Sequence, residues 1–240
     1  DLACVLIDPV SHRVGMFPIE EDYLVAIYNW TRKHKVLLVF DEVVTYRVTY
    51  SGAQELYPVK PDMTALGKII GGGFPVGAIA GDAKIMSVFD PTRKIIKQPH
   101  SGTFSANPIT MTAGKVAMEL FDRQAVDDIN NMTDIAKNQI LAAAKEADVP
   151  LILTGAGSMF RFHFRHKAPR NYRETYQCPE ERKLIVDFLD FLFLHEDIIM
   201  INTFACMFAT TITQVEVDRL TESLFKGFMK YKKEIHSFVK

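Results

Sequence analysis

Apolar residues along this chain fall into two spacings, and the order of those spacings predicts an α/β protein. Residues 3–8 (ACVLID) form a short apolar run closed by Pro9, the pattern of a buried strand. Residues 20–34 then place Leu24, Ile27 and Tyr28 at helical spacing, with acids in the first turn. Residues 36–41 (VLLVFD) form a second apolar run, ending on Asp41. Strand, helix and strand at these lengths predict a βαβ unit whose strands run parallel and are covered on both faces. A further strand-like run follows Pro75, and helical periodicity extends over 109–121 and 125–147. The pattern then changes. LILTG and SMFRFHF are short strand patterns, the second alternating Phe160, Phe162 and Phe164. PEERKLIVDFLDFLFL carries Pro at a helix start, DIIMINTF and CMFATTI suit strands, and QVEVDRLTESLFKGFMKYKKEI closes as an amphipathic helix. A boundary is expected near residue 125, dividing the chain into 1–124 and 125–240.

Ligands of parallel sheets bind beyond the carboxyl ends of the strands, where Asp8 and Asp41 fall. LLVFDEVVTYR is the more informative of the two ends. A buried strand running into Asp41 and Glu42 exposes charge to a desolvation cost that a turn or a bound cation offsets. The second distinctive segment, TALGKIIGGGFPVGAIAG (64–81), sets Lys68 and three glycines among apolar residues. It is neither a Walker-type phosphate loop, because the Lys precedes the glycines, nor a dinucleotide fingerprint. HSGTFSANP (100–108) is a loop by composition.

Composition narrows the field. A formal net charge of −1 lacks the basic footprint of a nucleic-acid binder, which leaves small molecules and other protein chains as partners. The most apolar region carries Asp187, Asp190, His195, Glu196 and Asp197, charges that a membrane-spanning helix excludes. Three widely spaced cysteines argue for a reducing, cytoplasmic compartment rather than a disulfide framework. His163 and His166 lack the neighbouring ligands of a zinc site, so no metal is expected there.

FDEV-T-R, PDMTALGKIIGGGFPVGAIAG and HSGTFSANPITMTAGKVAMEL, in that order, resemble the class III aminotransferases, fold-type I enzymes that use pyridoxal 5′-phosphate (PLP). The branch is that of glutamate-1-semialdehyde 2,1-aminomutase and the β-amino-acid transaminases, and ATTITQVEVDRL is similar to its last strand and helix. The resemblance implies a mostly parallel large domain, present in part over 1–124, and a smaller α+β C-terminal domain with its linking helix over 125–240. It implies that Asp41 faces the pyridine nitrogen, that Val43 packs on the cofactor ring, and that Lys68 forms the Schiff base. It implies that Thr103 reaches the phosphate of a neighbouring subunit's PLP, which requires a homodimer. Arg47 is a candidate for the substrate carboxylate. In its apolar context the Lys68 amine is expected to have its charged form disfavoured.

Three departures accompany the likeness. IDPVSHRVG replaces a Glu-Pro stretch, which keeps Asp8 off the site. DEVVTYR lacks one residue between Thr and Arg found in the aminomutase. The family chain extends further on its N-terminal side, so the sheet is expected to be incomplete, with open edges and exposed apolar faces. The function expected is amino transfer from an amino acid or primary amine to a keto acid or aldehyde. The alternatives are the intramolecular aminomutase reaction, a catalytically incomplete fragment, and a Mg²⁺-dependent phosphate-handling domain using Asp8, Asp41, Glu42 and Lys68.

Overall fold

The first apolar run becomes β1 (Cys4–Ile7), the helical spacing after it becomes α1 (Glu21–His34), and the second run becomes β2 (Leu37–Asp41). These belong to a computed structural model that describes residues 1–239. The chain divides into two units, one of Asp1–Val10 with Ile19–Ala125, the other of Ser11–Pro18 with the chain from Val126 onward.

In the first unit β3 (Met63–Gly67) and β4 (Gly77–Gly81) complete a sheet of order β1-β2-β3-β4. β1, β2 and β3 are parallel, and β4 runs antiparallel to β3. α1 starts with Glu21 and Asp22 and ends with Arg32, Lys33 and His34, both favourable to its dipole, and Lys35 closes it in a left-handed conformation. Its buried Leu24 packs with Leu38 and Phe40 of β2 and with Val59. The last turn is stitched to the sheet by charge. The Arg32 guanidinium pairs with the Asp62 carboxylate, which also accepts the Leu38 N–H at 2.7 Å. That pairing holds the Asp62 carboxyl below its ordinary range.

The sheet is not covered on both faces, as the apolar runs alone suggest. β2 alternates half-buried and buried positions, whereas every residue of β4 is exposed, and Leu6 and Ile79 lie open. α1 buries the Leu38/Phe40 side of β2, and the described residues supply too little to cover the other side. After β4 come the one-turn α2 (Ala83–Met86), then α3 (Pro108–Leu120), whose N-cap Asn107 side chain accepts the Ile109 and Thr110 N–H groups. α4 (Arg123–Glu146) follows.

The second unit carries an antiparallel sheet of β5 (Ile152–Ala156), β6 (Met159–His163) and β7 (Ala205–Met207), with α5 (Pro179–Glu196) and α6 (Gln214–Phe238). Its core is aromatic. Phe162 stacks on Phe204 at 4.5 Å, and Phe164 and Phe188 join Phe204 and Phe228 in tilted and edge contacts. Each buried Phe contributes on the order of 2–3 kcal/mol from apolar area removed from water. SMFRFHF supplies β6, and all of β6 is buried, Arg161 and His163 as well as its Phe residues. On its polar side His163 Nε2 lies 2.9 Å from Thr154 Oγ1 and 3.1 Å from Gly15 O. Burial lowers the His163 pKa to about 4, so the ring is neutral and serves the Ser11–Pro18 segment as a hydrogen-bond partner.

DIIMINTF does not form a strand. It contributes one bridge, Ile201 to Ala205, because the chain turns through Phe204 at φ 54, with the Phe204 N–H donating to Ile201 O at 3.0 Å. Turning there puts the Phe204 ring into the aromatic core, and that burial outweighs continued strand pairing. Among the described residues no helix is long and apolar enough to cross a membrane.

Candidate active site

β2 and β3 run parallel in a register that pairs Asp41 with Ala65, so both chains leave the sheet at the same edge. Asp41 is the last residue of β2, and Lys68 is the first residue after β3. Asp41 is half-buried, and its Oδ1 accepts the Val43 N–H at 3.1 Å. That bond fixes the carboxylate at the strand end. Val43 in turn lies against Gly67, where a Cβ would come within 3.2 Å of Val43 Cγ1. The structure therefore places Asp41, Val43 and the start of the Lys68 turn at the same end of two adjacent strands.

Lys68 opens a 3-10 turn, Lys68–Gly71, and adopts a left-handed backbone at φ 49. A lysine in that region stores strain of about 1–3 kcal/mol, a cost found where a site dictates the backbone. The expectation of an apolar cage around its amine is not met. Lys68 is exposed, because it lies past the end of β3, where none of the described elements covers it. What supports the turn is α3. A Cβ at Gly114 would lie 2.2 Å from Ile70 O, so the helix backbone rests directly on the lysine's turn. Gly114→Val is expected to cost about 1–3 kcal/mol in urea unfolding, because the clash is with backbone and no rotamer relieves it. Unchanged stability would show that α3 and the turn are further apart than this.

Thr103 and Arg47 lie on other segments. Thr103 is exposed in the loop before α3, a loop braced by its own turns from Ser105 to Gly102 and from Asn107 to Phe104. Arg47 sits on the 3-10 turn Thr45–Val48, half-buried, with burial lowering its pKa.

Glu42 is the residue whose role the sequence did not show. It is fully buried, and its Oε2 accepts the Ala53 N–H at 2.5 Å while Oε1 accepts the Gln54 N–H at 3.2 Å. Gly52, at φ +87, makes the approach possible, since a Cβ there would lie 2.4 Å from Glu42 Oε2. Burial pushes the Glu42 carboxyl up to about 7 against the pull of those two amides, and Asp8 adds to the rise. The Gly in YSGAQ was the one available signal, and it names no partner.

The Mg²⁺ alternative finds no support. Glu42 is engaged by backbone amides, Asp8 accepts the Val10 N–H at 3.1 Å, and among the described residues no three His, Cys, Asp or Glu side chains gather as a metal site requires. The residues present fit PLP instead. A half-buried carboxylate, an apolar side chain and a primary amine stand at the same end of two adjacent strands, residue types whose chemistry suits a protonated heterocycle, a flat ring and an aldehyde.

Residues 1–224 match the family described as aminotransferase class-III. Over 176 residues the chain is 36% identical to a glutamate-1-semialdehyde 2,1-aminomutase from Methanothermobacter thermautotrophicus, covering 73% of this chain and 41% of that protein. An omega-transaminase from Sphaerobacter thermophilus superposes with a TM-score of 0.92 at 35% identity, over 95% of this chain and 52% of that one. A transaminase with PLP bound gives 0.86 at 31% identity, over 99% of this chain and 53% of that one. The chain thus spans about two-fifths of the curated relative's length and about half of each solved structure. Its sheet, its strand-end cluster and these likenesses agree: the chain belongs to the class-III aminotransferase family, PLP-dependent enzymes of fold-type I.

Proposed function

We propose that the protein is a PLP-dependent aminotransferase that moves an amino group between an amino acid or primary amine and a keto acid or aldehyde. The observation that supports it best is the common edge of β2 and β3, which carries Asp41 and Lys68 on adjacent parallel strands. When bound, PLP supplies the electron sink for the bond broken at the substrate carbon. Asp41 holds the pyridine nitrogen protonated, its carboxylate oriented by the Val43 N–H. Val43 packs on the ring. Lys68 would hold the cofactor through its amine, and the same amine would carry a proton at the substrate α-carbon. Thr103 holds the phosphate of a neighbouring subunit's cofactor, which makes the protein a homodimer, and its exposed loop is available for that contact. Arg47 pairs with the substrate carboxylate. A cytoplasmic location belongs to the same proposal, supported by three free cysteines.

The aminomutase reaction is the second reading, favoured by the named relative at 36% identity. Supplying an amino donor with and without a keto acid acceptor separates the two. The aminotransferase turns over many times only with acceptor, whereas an aminomutase isomerises its substrate without one. No amino transfer under either condition with PLP present would overturn both.

A further inference from the structure

We propose that Glu42 is a positioning residue, whose buried carboxyl group clamps the segment after β2 and thereby fixes where Asp41 presents its carboxylate. The inference rests on the reading that Asp41 holds the cofactor. It deepens that reading by naming what holds Asp41.

Glu42 bonds to three separate pieces of backbone around this strand end. Its N–H donates to Ala65 O of β3 at 2.9 Å, and its carbonyl accepts the Tyr46 N–H at 3.1 Å. Its side chain crosses to Ala53 and Gln54, which begin the 3-10 turn Ala53–Leu56. One residue thus ties β2 to β3, to the turn carrying Arg47, and to the returning segment at Gly52. Asp41 is its immediate neighbour, and the bond from Val43 N–H to Asp41 Oδ1 spans Glu42 on both sides. Any rotation of the Glu42 backbone displaces both ends of that bond. A carboxyl group buried for packing alone would be costly, since an apolar side chain would pack there without the desolvation penalty. Two well-aimed amide contacts at a strand end carrying a cofactor acid explain its presence.

The clamp is also sensitive to pH. The folded carboxyl titrates near 7 rather than at its ordinary value of 4.5, so the folded state binds the proton more tightly than the unfolded chain does. Stability from this group is fully present below about 4.5 and is lost as pH rises through about 7. The groups facing it are Asp8 beyond β1, Tyr46 on the next turn, and the Gln54 side chain; Asp8 opposes ionisation and Gln54 favours it.

Amide hydrogen exchange of the cofactor-free protein tests the proposal at Val43, Ala53 and Gln54. Glu42→Ala is expected to speed exchange about tenfold or more at all three, the size of a lost capping interaction. Glu42→Gln keeps one of the two acceptor oxygens and is expected to hold Val43 and one of Ala53 and Gln54 within about threefold of the parent. Faster exchange at Ala53 and Gln54 with Val43 unchanged would overturn the proposal, because the clamp would then be local and Asp41 independent of it. Should Glu42→Ala fail to fold, the pH profile decides. The protection of Val43 should change between about pH 6 and 8 in the parent and stay flat in Glu42→Gln, and identical profiles would overturn the proposal. PLP uptake is measured separately, so a protein that binds no PLP would refute the cofactor reading while leaving the exchange result standing.

Discussion

Replacing Lys68 with alanine is expected to slow amino transfer by on the order of 10⁴-fold or more, because in the proposed function one amine serves as both covalent anchor and proton carrier. Lys68 lies on an exposed turn outside the strand ladder, so its removal should leave stability within about 0.5 kcal/mol. Lys68→Arg sharpens the test. Arginine keeps the positive charge but cannot lose its proton, and the same loss is expected from it. If the lysine only balanced charge at the strand edge, arginine would restore most of the rate. Single-turnover rates with a saturating amino donor measure both variants, and activity within tenfold of the parent in either would contradict the role given to the amine.

Asp41→Asn should have the next largest effect, a fall of roughly 10²–10⁴-fold in the same single-turnover rate, the range for removing a preorganised charge at a reacting centre. Asparagine keeps an oxygen to accept the Val43 N–H, so the strand end should hold its shape. What it lacks is the negative charge proposed to keep the heterocycle protonated. PLP affinity should therefore fall much less than the rate. Equal losses in affinity and rate would mean that Asp41 contributes binding alone.

Much of this was legible in the chain itself. The run from Val36 to Asp41 and the helical spacing before it fixed a βαβ unit, because period and length are local properties. Lys68 beside a glycine triplet and Asp41 at a strand end could be paired only through motif likeness, since nothing local says that β2 and β3 are neighbours. Non-local facts stayed hidden for the same reason. Glu42 meets amides at Ala53 and Gln54, and α3 presents Gly114 to Ile70, contacts that depend on how the chain returns. DIIMINTF misled because apolar content alone does not distinguish a strand from a turn that buries Phe204. The exposure of Lys68 was illegible too. An apolar sequence context describes chain neighbours, and its exposure depends on what stands over the sheet edge.

The most direct test of the proposed Asp41–Lys68 site is to incubate the protein with PLP, reduce with borohydride, digest it and locate the pyridoxyl group by mass spectrometry. The expected result is a modification concentrated on Lys68, absent from Lys68→Ala. Label spread evenly over Lys60, Lys68, Lys84 and the other lysines, or undiminished in total by Lys68→Ala, would contradict it.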